Sequence, residues 1–164
     1  MSDSERALQV LGFLRREYPD VKGTALSYSD PLELLVATIL SAQCTDAKVN
    51  QVTRSLFERY RTPEDYANTA LKKLQDAIKP TGFYRAKAKR IKECCRIIVE
   101  RFGSQVPRTM QELTSLPGVA RKTANVVLSN AFQIDEGVTV DTHVMRLAKR
   151  LGFTQVESFE LPLP

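Results

Sequence analysis

The chain contains no run of apolar residues long enough to cross a membrane, and its first five residues, Met1-Ser2-Asp3-Ser4-Glu5, are polar and acidic rather than signal-like. A cytosolic protein is the expectation. Cysteine is scarce, with Cys44 alone and Cys94 next to Cys95. Three thiols so spaced make neither a disulfide framework nor a metal-ligand pattern, so they are expected to be reduced and no metal site is expected. No segment alternates apolar and polar residues for long enough to be read as a strand, and there is no internal repeat or low-complexity tract. Histidine occurs once, at His143. A lone histidine is more often a structural hydrogen-bonding residue than a general base.

What is present suits one well-buried domain, or one domain with a smaller appendage. The 164 residues are 43% hydrophobic and 26% charged, which separates the chain from disordered ones. Lys and Arg number 24 against 19 acids, a formal charge of +5 that is unevenly spread. Lys72, Lys73, Lys79, Arg85, Lys87, Lys89, Arg90, Lys92, Arg96 and Arg101 stand against only Asp76, Glu93 and Glu100. Taken alone, such a run is a solvated helix face. Beside other evidence for a polyanion partner, it is where the partner would meet the protein's field.

Helical periodicity runs through the chain and predicts an all-α fold. Ala7, Leu8, Leu11 and Leu14 mark a helix from Ser4 to Glu17. Asp30-Pro31 opens a nearly all-apolar helix over 32–42, which must be central. Thr45 or Asp46 caps the next, with Val49, Val52, Leu56, Phe57 and Tyr60 on one side. Short helices follow at 63–69 and 71–78, then a break at Pro80-Thr81-Gly82. A long one covers 86–102, with Ile91, Cys94, Cys95, Ile98 and Phe102 inward and the basic residues mostly outward. Thr109 and Glu112 read as a capping box for a helix over 110–116. Helices over 120–132 and from Asp141 to Leu151 complete the series.

The most informative string is Leu116-Pro117-Gly118-Val119-Ala120-Arg121-Lys122-Thr123-Ala124. A helix that ends at Leu116, a tight turn and a helix that starts at once present free N–H groups to whatever lies above the turn, which favours a phosphate. Gly118 can take positive φ and lets the backbone approach closely. In the second helix Ala124, Val127, Leu128 and Ala131 make the packing stripe, so Lys122 looks the other way with Asn125 and Ser129. As a mere solvated cation it would be poorly placed at the partially positive end of a helix. Downstream, Val140-Asp141-Thr142-His143 puts a carboxylate in N-cap position of another helix. An amine and a carboxylate beside a phosphate seat suit chemistry on a DNA sugar.

These strings resemble those of the helix-hairpin-helix DNA glycosylase superfamily, and of its endonuclease III branch in particular. Two distant segments, Leu40-Ser41-Ala42-Gln43-Cys44-Thr45-Asp46 and Gly82-Phe83-Tyr84-Arg85-Ala86-Lys87-Ala88, are similar to that branch's other DNA-facing loops, and the resemblance runs from about Leu8 to Phe153. It implies a helical barrel domain over 25–134 and a partial second helical domain from 1–24 plus 135–164. The implied activity is that of a bifunctional DNA glycosylase and AP lyase of base excision repair, acting on damaged bases, oxidised pyrimidines foremost. Lys122 would be the nucleophile, with Asp141 assisting loss of the base and activating the lysine. Leu116, Gly118, Ala120 and Arg121 would face DNA at the hairpin, while Gln43 and Phe83 match positions that fill the duplex once a nucleotide is extruded. Ala120 stands where the family commonly has a second glycine, and its Cβ narrows the approach to the phosphate.

The implied partner is double-stranded DNA carrying damaged bases or abasic sites, met in the cytoplasm or on the nucleoid, and not a membrane. Members of this branch usually continue for several tens of residues and hold a [4Fe-4S] cluster in a late four-cysteine loop. No cysteine follows Cys95 here, so no cofactor is expected in this chain. Either a chain shortened by loss of its second domain, the favoured expectation, or a natural variant that has replaced the cluster is implied; the shortened chain would be monomeric unless its uncovered side self-associates, with Leu8, Leu11, Leu14, Met145 and Leu147 short of a full packing partner. Two rivals remain. One is a monofunctional adenine-mismatch glycosylase, disfavoured by Lys122; the other is a non-catalytic DNA-binding remnant.

Overall fold

Periodic apolar residues punctuated by capping and turn residues dictate a succession of helices, and a computed structural model shows them. The structure describes residues 2–21, 23–137, 140 and 142–155. The helices are α1 (Asp3–Glu17), α2 (Pro31–Leu40), α3 (Asp46–Arg59), α4 (Pro63–Asn68), α5 (Leu71–Ile78), α6 (Tyr84–Phe102), α7 (Met110–Thr114), α8 (Arg121–Ala131) and α9 (Thr142–Arg150). No strand occurs among the described residues. They divide into two compact units, residues 24–138 with α2 to α8, and residues 1–23 with 139–164, which carry α1 and α9.

The larger unit is built around α2. Asp30 caps it by accepting the Glu33 N–H at 2.8 Å, and Pro31 occupies its first turn. Leu34, Leu35, Val36, Ala37 and Leu40 are almost wholly withdrawn from water. Each such leucine contributes about 1.5–3 kcal/mol relative to exposure. α8 packs on α2 through the buried Ala124, Val127 and Leu128, and α3 lies beside it with Val49 and Leu56 inward. α6 closes the core with Ala88, Ile91, Cys94, Cys95 and Ile98, and α4 and α5 pack against it. Loops are pinned by side chains: Asn130 accepts the Thr24 N–H, and Asn50 accepts the Ser27 N–H and donates to the Ala25 carbonyl.

Several boundaries differ from the sequence expectation. α6 starts at Tyr84, two residues early, because Phe83 turns the chain in a left-handed conformation at φ 47°. A 3-10 turn at Lys79–Thr81 fills the expected break. α7 stops at Thr114, two residues short of Leu116, because a residue before proline is pushed out of the α region. Its capping box is one-sided: Thr109 accepts the Glu112 N–H, but the Glu112 carboxylate takes the Thr109 hydroxyl at 2.8 Å and not a backbone N–H. α8 begins at Arg121, with Ala120 extended as its cap. Gln133, at φ 56°, ends it, as Ile134 N–H returns to the Leu128 carbonyl.

In the smaller unit a capping box joins Ser2 and Glu5 at the start of α1. The Arg6 guanidinium donates to the Gly152 carbonyl and lies over the Phe153 ring. No residue of α1 or α9 is buried, and Leu8, Leu11, Leu14 and Leu147 are exposed.

Burial in the α6 core pushes the Cys94 thiol up from its usual value near 9.0 to about 12, and the thiol of Cys95 upward as well. Between pH 9 and 12 the unfolded chain therefore binds fewer protons than the folded one, and stability falls as pH rises. Each thiol steepens the fall by about 1.4 kcal/mol per pH unit once it ionises in the unfolded chain. Urea midpoints taken from pH 8 to 11 should decline more steeply for the native chain than for a Cys94→Ala, Cys95→Ala double variant. Parallel declines would show that these thiols are not held neutral by the core.

Candidate functional site

The hairpin is anchored from beneath. Leu113, Leu116 and Val119 are buried, and the Val119 N–H closes the turn on the Leu116 carbonyl at 3.1 Å. Gly118 sits at φ 83°, a conformation that side-chain-bearing residues adopt at a cost. A Cβ at Gly118 would also stand 3.1 Å from both Cβ and Cδ of Arg90, whose stem lies against the turn. The conformation favours glycine here, and a Cβ would also require the Arg90 side chain to give by a few tenths of an ångström. Gly118 and Ala120 are exposed, and their N–H groups have no hydrogen-bond partner among the described residues. Ala120 offers no side-chain cap to α8. The start of α8 thus keeps its positive dipole end and open donors for an external anion.

Lys122 is exposed in the first turn of α8, on the side away from Ala124, Val127 and Leu128, as the spacing requires. Arg121 is exposed beside it, while Leu116 is buried and supports the turn from below. Asp141 lies outside the described residues. His143 is exposed in the first turn of α9.

Gln43 and Phe83 share an unusual backbone. Both are left-handed, at φ 52° and 47°, and both are exposed, Phe83 to 67%. A bulky residue held in this region costs of order 1–3 kcal/mol and persists only where its surroundings impose it. Here the surroundings include a lysine. Lys87, expected among the outward basic residues, is only 3% exposed, and its Nζ donates to the carbonyls of Leu40 and Thr81 at 2.8 Å each. Burial holds its ammonium below the usual lysine range, against a smaller opposing influence of Cys44. Leu40 ends α2 and Thr81 ends the 3-10 turn, so one cation settles carbonyls at two helix ends. Sequence reading missed it, although the signal was present. Extending the stripe of Ile91, Cys94 and Ile98 back by one turn lands on Lys87.

The basic run is accordingly smaller at the surface than in the sequence. Lys92 also turns inward, with its ammonium on the carbonyls of Ala67 and Thr69. Lys72 pairs with Asp76, and Arg96 with Glu93 and Glu100. Lys73, Lys79, Arg85, Lys89, Arg90 and Arg101 remain exposed and outside any ion pair among the described residues. α6 therefore reaches all three loops: Phe83 caps it, Lys87 holds the ends of α2 and the 3-10 turn, and Arg90 underlies Gly118.

Two described clefts lie elsewhere. One of about 580 Å³ is lined by Ser27, Tyr28, Glu33, Asn50, Arg54 and Phe57, another by residues around Pro31, Arg61 and Val106. None of the candidate residues lines them. An exposed turn with open donors suits an extended backbone better than an engulfed small molecule. No three His, Cys, Asp or Glu side chains converge on a metal position among the described residues. Cys94 and Cys95 are buried in α6 and Cys44 follows the α2 end, so the three thiols do not fit a four-thiolate cluster.

Residues 36–158 match the model of the HhH-GPD superfamily base excision DNA repair proteins. The chain is 53% identical over 154 residues to Endonuclease III of Synechocystis sp., covering 94% of this chain and 70% of that one. With Endonuclease III of Bacillus subtilis it shares 55% identity over 127 residues, 77% of this chain and 58% of the relative. Against a solved structure of a trapped Endonuclease III–DNA covalent intermediate the TM-score is 0.87 at 46% identity, covering 94% of this chain and 72% of that one. With its all-helical fold, its hairpin and this breadth of likeness, the chain belongs to the HhH-GPD superfamily of base excision DNA repair proteins.

Proposed function

We propose that the chain is a bifunctional DNA glycosylase and AP lyase of base excision repair, acting on damaged bases, with oxidised pyrimidines as the preferred class, in the cytoplasm and on the nucleoid. The observation that carries this reading is the hairpin: open N–H donors at Gly118 and Ala120 form a phosphate seat, and exposed Lys122 stands in the turn of α8 that follows. A base must leave the stack before its sugar can be attacked. Gln43 and Phe83, exposed on strained turns, fill the space it vacates.

With the nucleoside extruded and its phosphate on the hairpin, the neutral amine of Lys122 attacks C1′. The bond from C1′ to the base breaks, and the departing base takes a proton. Asp141 offsets positive charge developing on the sugar. The ring opens to a Schiff base, which makes the C2′ proton acidic. Loss of that proton forms the C2′–C3′ double bond and expels the 3′ phosphate, cutting the strand. Hydrolysis of the imine frees the lysine. A covalent Endonuclease III–DNA intermediate among the matching structures supports this amine route.

Borohydride added during reaction with an abasic duplex should reduce the imine and leave a protein–DNA adduct. Lys122→Ala should abolish it, and Asp141→Asn should slow base release by about 10²–10³ while leaving DNA binding unchanged. A protein that binds the abasic duplex yet yields no adduct would be a non-catalytic DNA-binding unit.

Gly118→Val should weaken binding to every duplex by about tenfold, because the left-handed turn then costs about 1–2 kcal/mol more and a Cβ meets Arg90. A phosphate contact carries no sequence information, so the loss should be uniform across sequences. Fluorescence anisotropy on unrelated duplexes reads this directly. A change of sequence preference would assign the turn to base recognition.

A further inference from the structure

Outside the hairpin, the feature with the greatest unexplained cost is a buried ammonium. An exposed lysine would be cheaper, and an apolar residue at this core-facing position would pack without the loss of hydration. Lys87 is retained with both bonds directed at carbonyls that immediately precede the two strained turns. Leu40 lies three residues before Gln43, and Thr81 two residues before Phe83. Its reach follows from helix geometry, since side chains lean toward the helix N-terminus and Lys87 lies one turn inside α6. Its own N–H also donates to the Phe83 carbonyl at 3.1 Å. One residue therefore grips the Phe83 turn twice and the Gln43 turn once. The two carbonyl oxygens can stand no farther apart than the two bonds allow.

We propose that Lys87 is a positioning residue that ties the Gln43 and Phe83 turns into one rigid wedge, so that the two side chains enter the duplex as a unit. The proposal rests on the reading of the chain as a base-extruding enzyme. Neither side chain needs to touch Lys87, because the tie acts through the backbone carbonyls ahead of each turn. Without it the left-handed turns relax separately and each side chain fills its part of the duplex independently.

The test is a double-mutant cycle on the full chain. The probe is a duplex with 2-aminopurine beside a reduced abasic site, whose emission rises as the base unstacks. Gln43→Ala, Phe83→Ala and the pair should be non-additive by about tenfold in the unstacking equilibrium. In a Lys87→Met background the coupling should fall below about threefold. Borohydride trapping at an abasic site in single-stranded DNA needs no wedge, so there Lys87→Met should stay within about twofold of the native chain. Additive losses in the native background overturn the tie whether or not the Lys87 variant folds. Undiminished coupling in Lys87→Met likewise makes Lys87 a packing residue only. A native chain that traps nothing on single strands removes the enzyme reading, and the tie with it, whereas trapping with additive losses removes the tie alone.

Discussion

Every helix leaves unpaired donors at its start and unpaired acceptors at its end, and an all-helical chain must settle each of them. In the 24–138 unit many ends are settled from within, the donor ends of α2, α3, α4 and α7 by the side chains of Asp30, Thr45, Thr62 and Thr109. Carbonyl ends are satisfied from within by buried or half-buried lysines, Lys87 on Leu40 and Thr81 and Lys92 on Ala67 and Thr69. The donor end at the hairpin is left open, since Ala120 supplies no cap and Gly118 keeps side chains away. Cations on carbonyl ends and an anion on an open donor end are both favoured by the helix dipole. Only the donor end can take an anion from outside. The same rule that stabilises the fold is thus consistent with the hairpin as the proposed seat of the nucleic-acid backbone.

The loops proposed to face DNA are held through α6. α6 packs Ile91, Cys94 and Ile98 into the interior and uses its first two turns to reach outward, with Phe83 as its cap, Lys87 under the α2 end and Arg90 under Gly118. Rigid support matters to the proposed function because misplacement by about 1 Å is costly where an amine must meet C1′. The strain at Gln43 and Phe83 is consistent with turns that are imposed from below.

Much of this was legible in the sequence. Helix positions followed from apolar spacing and from caps such as Asp30-Pro31 and Thr62-Pro63, because these signals are local. Lys122 turned outward because its neighbours at Ala124, Val127 and Leu128 turn inward. The left-handed turns at Gln43 and Phe83 were not legible, since neither residue type demands positive φ. Lys87 was counted with the solvated basic run on charge alone, although its place on the apolar stripe of α6 pointed the other way. The length of α7 was overread because the restriction imposed by Pro117 acts on the residue before it. The role of Asp141 rests on the likeness of Val140-Asp141-Thr142-His143 to the family and on chemistry.

The central claim is that open backbone donors at the hairpin seat a phosphate of the DNA. Amide ¹⁵N–¹H shifts of the full chain, titrated with a duplex containing a reduced abasic site, test it most directly. The largest downfield proton shifts should fall on Gly118 and Ala120, diminish as salt is raised, and shrink at Ala120 for Gly118→Val at matched concentration. Shifts concentrated in the cleft around Asn50 and Arg54, with Gly118 and Ala120 unmoved, would contradict it.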